Sequence, residues 1–274
     1  MKKTVSCLAS ITQIDPHTPT WLIQAASLQW YAKGKDILVD PVDEDYVAIA
    51  TIDIETKAPI SFTAPLSIKA PSKVLLAHYV WCSSEQHEAQ MQLWAGAAQI
   101  EDPILKDFVT GILHDTQIME PFYRGKASKG YHHNAGGELF LHSVEVAVNA
   151  AQLAKLYGLP QRTQDCVFIG GLLHDIGKIL MHYNLDNKDQ KGVSGQHEAF
   201  SFLVLADHLD KLKKHDKSLF EAMSAMLSPH IANKKHHDYI EEFVVRVADW
   251  ISAHKYERGT AFLNKPANQL YAHV

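Results

Sequence analysis

The sequence predicts an α+β chain, with a small β-rich module over residues 1–72 followed by a mainly α-helical domain over residues 73–274. Three observations point there. Short runs of β-branched and aromatic residues, punctuated by prolines, fill the first part. Beyond it, apolar residues recur at three- and four-residue steps. Of the 17 histidines, 14 lie from His114 onward, within that helical pattern.

The first part offers Thr20-Trp21-Leu22-Ile23-Gln24, Asp36-Ile37-Leu38-Val39, Tyr46-Val47-Ala48-Ile49-Ala50-Thr51-Ile52 and Ile60-Ser61-Phe62 as short strands. Pro16, Pro19, Gly34, Pro41, Pro59 and Pro65 mark the turns. An OB-like barrel is one candidate for this module. A β appendage that supports the helical part or mediates a homo-oligomer is the other. Ala70-Pro71-Ser72-Lys73 reads as the hinge.

Helical spacing follows over residues 74–81 and 86–100. Asp102-Pro103 has the form of an N-cap and first helical residue, and Ile104, Leu105, Phe108, Val109, Ile112 and Leu113 make the buried stripe. Pro121 is expected just past that helix, with a loop over residues 122–133. Gly136-Gly137 open a helix over 138–157, and Gln164 or Asp165 caps the next. Later helices are expected over 198–212, 219–227 and 243–252, with a charged connector at 211–217.

Composition narrows the class. Hydrophobic residues make up 46% and charged residues 21%, as in globular proteins. No run approaches the roughly 20 apolar residues of a membrane span. Met1-Lys2-Lys3 is followed by a polar mixture that makes a poor signal peptide, so a cytoplasmic protein is expected. Cys7, Cys82 and Cys166 are scattered and fit reduced thiols. Net charge is −5 and the pI about 6.4, which argues against a surface coated in basic residues for duplex DNA. A local channel carrying bound metals could still be positive.

The chemistry centres on Gly170-Gly171-Leu172-Leu173-His174-Asp175-Ile176-Gly177-Lys178. His174 and Asp175 close an apolar run and point about 100° apart on a helix. They are either a charged helix end or two ligands for a borderline metal such as zinc, manganese, iron or nickel. His142, His197, His230 and Asp249 each lie in or beside a strongly apolar helix, where an unpartnered polar group is costly. His142, Glu145 and Asn149 share one stripe of their helix, and Glu145 could take the outer N–H of a ligating His142. Arg246 precedes Asp249 by three residues and could pair with it or with substrate. Glu198, beside His197, is expected to be solvated or to favour the helix dipole in a first turn.

The order His142, His174-Asp175, His197, His230, Asp249 resembles the HD superfamily of metal-dependent phosphohydrolases. Residues 131–146, Tyr131-His132-His133-Asn134-Ala135-Gly136-Gly137-Glu138-Leu139-Phe140-Leu141-His142-Ser143-Val144-Glu145-Val146, are most similar to the HD domains of 3′→5′ exoribonucleases with an OB fold and of TraI-type conjugation proteins. The resemblance implies two divalent metals (Mn, Fe, Ni, Zn or Mg). One would take His142, His174, Asp175 and Asp249, the other His197 and His230, with Asp175 bridging. It implies a catalytic part for Asp175, support from Lys178, and substrate contact by His132 and His133. Arg124 and Lys126, in the same basic stretch, suit phosphate oxygens.

Two metals about 3.5–4 Å apart can clamp the attacking and leaving oxygens of a phosphoryl transfer. The expected function is therefore a phosphohydrolase or phosphodiesterase, acting on single-stranded nucleic acid in the manner of a 3′→5′ exonuclease, or on a nucleotide. The alternative is a nucleotide-sensing or regulatory module that keeps the metal site. No glycine-rich phosphate loop is present to suggest another chemistry.

Overall fold

The computed structural model describes residues 4–15, 17, 20–25, 27–33, 46–63, 66–71, 80–81, 83–127, 136–181, 184, 197–228 and 239–263. The expected strand at 36–39 and the side chains of Cys82, His132, His133 and His230 lie outside these residues. Two compact units divide the chain, Met1–Glu120 and Pro121–Val274.

The first unit opens with a curled antiparallel half-barrel. Its strands are β1 (Thr4–Asp15), β2 (Thr20–Ala25), β3 (Leu28–Lys33), β4 (Tyr46–Asp53), β5 (Pro59–Phe62), β6 (Leu66–Lys69) and β7 (Val80–Trp81). The order is β3-β2-β1-β4-β5, with β6 paired to β4 and β7 to β1. Side-chain alternation places Cys7, Ala9, Ile11, Trp21, Ile23, Ala25, Ala48, Ala50 and Ile52 in one buried cluster. Strand β1 is buried on both faces at its centre, Ser6 and Ser10 included. It therefore shows no polar alternation, which is why its sequence did not announce a strand. Val80 and Trp81 pair with Cys7 and Ser6 instead of ending a helix, because β1 offers them backbone partners.

Two helices follow, α1 (Ser84–Gln99) and α2 (Pro103–Leu113). Asp102 caps α2 by accepting from the Leu105 N–H at 3.0 Å, and Pro103 opens it. Leu105, Phe108, Val109, Ile112 and Leu113 are its buried face.

Pro121 follows the end of α2 at Leu113, as expected, but it lies inside a further helix, α3 (Thr116–Arg124), where a loop was expected from Phe122 onward. Phe122 and Tyr123, expected in a loop, are buried against Phe140, with ring centroids 5.9 and 4.7 Å apart. Apolar burial thus extends the helix through the proline. Helix α4 (Glu138–Leu156) starts at Gly137, whose φ of 89° lies in the left-handed region that suits glycine. Helix α5 (Gln161–Leu173) begins before Asp165, which is buried inside it and accepts from Gln161 Nε2 at 2.8 Å. A 3₁₀ turn (Ile176–Leu180) follows.

The remaining helices are α6 (His197–Val204), α7 (Ala206–His215), α8 (Lys217–Met226) and α9 (Ile240–Leu263). The single helix expected over 198–212 is broken at Leu205, and the expected charged connector is helical to His215. Asp216 then caps α8, accepting from Leu219 N–H at 3.0 Å. No helix among the described residues is long and apolar enough to cross a membrane.

One close approach positions the site. A Cβ on Gly171 would sit 2.8 Å from Ala147 Cα and 2.9 Å from Ala147 N. The backbones of α4 and α5 touch there, and only glycine permits it. The crossing brings the start of α4, with His142, to the end of α5, with His174.

Candidate metal centre

Asp175 is the hub. Its Oδ2 lies 3.6 Å from His142 Nε2 and 3.4 Å from His174 Nε2, while its Oδ1 lies 2.8 Å from His197 Nε2. Asp249 Oδ1 approaches the same two imidazoles, at 3.1 Å from His142 Nε2 and 3.5 Å from His174 Nε2. His142, His174 and Asp175 are all buried, and their ligand atoms fall within 4.8 Å of one another. Neighbouring donors on one first-row metal lie about 3.0–3.6 Å apart, given metal–ligand lengths of about 2.0–2.2 Å. The spacing observed here fits that chemistry.

The imidazoles are also turned correctly. His174 Nδ1–H donates to the Gly171 carbonyl at 2.7 Å, which directs Nε2 to the cluster. That Nε2 is buried without a hydrogen bond of good geometry among the described residues. His142 Nδ1 faces Ser252 Oγ at 3.2 Å. Holding the outer nitrogen this way fixes the tautomer of a ligating histidine.

The electrostatics favour a cation. Burial pushes the His174 imidazole down, but the carboxylates of Asp175 and Asp249 outweigh it and lift His174 to about 10. Burial would raise Asp175, yet the Lys178 ammonium and the His174 ring hold it well below the usual carboxylate range. Asp249, against burial, is held low by the His142 and His174 imidazoles beside it. A proton, an ammonium and a metal ion all answer the same negative field. Lys178 sits in it directly, with Nζ 2.5 Å from Asp175 Oδ2 and a side chain 19% exposed.

Residues 139–254 match the HD domain family. The match covers less than half of the chain and supports the HD superfamily, whose members are typically metal-dependent phosphohydrolases. It begins three residues before His142 and ends five after Asp249, so it spans every described residue of the cluster. No curated protein and no solved structure matches the chain.

The HD segment thus brings together His142, His174, Asp175, His197 and Asp249, with Lys178 among them. Glu145 is half-buried on α4, and Arg246 lies over the Phe243 ring at 5.8 Å. Arg124 and Lys126 are exposed. Asn184 escaped the sequence reading. Its amide receives the Lys126 N–H at 2.7 Å and donates to the Lys126 and Lys178 carbonyls at 3.0 and 2.8 Å, tying the Lys126 backbone to that of Lys178. Ser252 escaped it too, although it falls three residues after Asp249, on a neighbouring stripe of α9. Glu198 is only 3% exposed, against the expected solvated position.

Proposed function

We propose that this protein is a metal-dependent phosphodiesterase with a two-metal centre, acting on single-stranded nucleic acid or a nucleotide. The observation that carries this reading is the split use of the Asp175 carboxylate. One oxygen faces His142 and His174 and the other faces His197, as a bridging ligand would. His142, His174, Asp175 and Asp249 would hold one metal, and His197, His230 and Asp175 the other. Divalent ions bound there supply Lewis-acid activation of water and of the scissile phosphate.

The protein residues do the rest. Ser252 and the Gly171 carbonyl fix the rings of His142 and His174. Lys178 pairs with Asp175, and in this reading its ammonium would also serve a phosphate oxygen of the substrate. The Asn184 tie holds the Lys126 backbone to that of Lys178, and in this reading the Lys126 side chain would offer a second cation to a phosphodiester. His132 and His133 complete the substrate contacts in this reading. The N-terminal module, taken as residues 1–72, is a strand guide if the substrate is an oligonucleotide and structural if it is a nucleotide.

The test uses manganese-loaded protein, with Asp175→Asn as the blank. End-labelled single-stranded RNA and DNA are incubated beside a panel of nucleotides. Progressive shortening of the oligonucleotide makes the protein an exonuclease. Intact oligonucleotide with a hydrolysed nucleotide makes it a small-molecule phosphohydrolase. No hydrolysis of either by metal-replete protein sinks the enzymatic reading in favour of a nucleotide-sensing module.

Two variants divide the centre. Lys178→Ala is expected to lower turnover about 10²-fold while metal stays bound, the scale of losing one preorganised charge contact. An unchanged rate would return Lys178 to a purely structural pairing with Asp175. His197→Ala is expected to bind one metal in place of two, read by elemental analysis. Two metals retained would rule out the two-metal version.

A further inference from the structure

We infer that Glu198 is a positioning residue, holding the His197 ring from behind so that its Nε2 faces Asp175. The inference rests on the two-metal reading, because His197 matters most if it serves a second metal.

His197 and Glu198 are consecutive in the first turn of α6. His197 Nε2 meets Asp175 Oδ1 at 2.8 Å, which leaves Nδ1 as its outer nitrogen. That nitrogen faces Glu198 Oε2 at 3.7 Å. The carboxyl is 3% exposed, and Oε2 has no hydrogen-bond partner among the described residues. A buried oxygen without a partner is unfavourable, so its place calls for a reason. A first-turn acid that only answers the helix dipole does so in water, without being buried.

The other two imidazoles supply the reason by comparison. His142 and His174 each have an oxygen within hydrogen-bond range of Nδ1, from Ser252 Oγ and the Gly171 carbonyl. His197 has the same arrangement with Glu198, at a longer distance. The terminal torsion of a glutamate is broad, so a small rotation closes 3.7 Å to a hydrogen bond. All three rings then obey one rule, in which Nε2 turns to the cluster and Nδ1 is anchored by an oxygen behind it.

The experiment measures Mn²⁺ binding to the full chain by calorimetry. It compares wild type with His197→Ala, Glu198→Met and Glu198→Gln, with circular dichroism confirming each fold. Methionine fills the volume without offering a good acceptor, and glutamine restores an acceptor oxygen. The expected result is loss of one of two sites in His197→Ala. In Glu198→Met that same site weakens about 10–100-fold, the usual effect of removing an outer partner of a ligand, with the other site unchanged. Glu198→Gln weakens it less. Wild-type affinity in Glu198→Met, equal weakening of both sites, or a glutamine no better than methionine would overturn the role of Glu198. Two sites retained in His197→Ala would instead overturn the two-metal reading, so the two failures are distinct.

Discussion

Asp175→Asn is expected to abolish metal binding and hydrolysis together. Among the described residues, Asp175 alone faces His142, His174, His197 and Lys178. Asparagine keeps the shape of the side chain but removes the charge and one acceptor oxygen, so on the proposed two-metal reading both metals lose their shared ligand. Turnover is expected to fall by more than roughly 10³-fold, beyond the loss of one preorganised charge contact, because the bound metal goes with it. The fold should survive, because Lys178 is near enough to the surface to reach water. Thermal denaturation separates binding from folding. A metal at 100 times its Kd stabilises the wild type by about 2.7 kcal/mol. In a chain of this size that is a rise of about 5–11 °C in Tm, at roughly 2–4 °C per kcal/mol. The variant should show no such rise and no bound metal in elemental analysis. A wild-type metal content or rate in the variant would remove Asp175 from the centre.

The reason so much of this centre was readable in the sequence is local. His142, His174, Asp175 and Asp249 interrupt apolar helices, and a polar residue in such a setting stands out. The fold class followed from the change of period after the first strands. What stayed hidden depends on contacts between distant segments. Ser252 lies 110 residues from His142, and a serine in a helix carries no mark of its partner. Glu198 looked like any first-turn acid, and only the packing of α6 reveals that it is buried. Strand β1 was hidden because its neighbours cover both of its faces. Residues 122 and 123 were expected in a loop after Pro121, yet burial of Phe122 and Tyr123 against Phe140 holds a helix through the proline. In each case a tertiary contact overrode the local signal.

Gly177→Ala should disable the centre through backbone alone. Gly177 is the residue two past Asp175, in the 3₁₀ turn, and it is pressed against the start of α6. A Cβ there would lie 2.0 Å from the His197 carbonyl oxygen and 2.5 Å from Ser201 N. Both are backbone atoms, so no side-chain rotation relieves the clash. The contact is also a latch: Gly177 N–H donates to Ser201 Oγ at 3.1 Å, and that hydroxyl donates to the His197 carbonyl at 3.3 Å. An added methyl must push α6 off the turn, which breaks the latch and opens the 2.8 Å contact of His197 with Asp175. Overpacking of this kind costs about 3 kcal/mol, or roughly 6–12 °C in Tm. On the two-metal reading, the variant should also lose the metal assigned to His197 while keeping the one assigned to His142, His174, Asp175 and Asp249. Gly136→Ala is the matched comparison, since among the described residues its Cβ would meet only the Arg124 carbonyl, at an ordinary 3.6 Å. It should leave both Tm and metal content near wild type. A Gly177→Ala protein with two metals and an unchanged Tm would mean that α6 can yield without moving His197. Gly177, two residues past the His-Asp pair, is thus tied to the cluster by geometry: a side chain there would occupy the space where the turn bearing Asp175 meets the helix bearing His197.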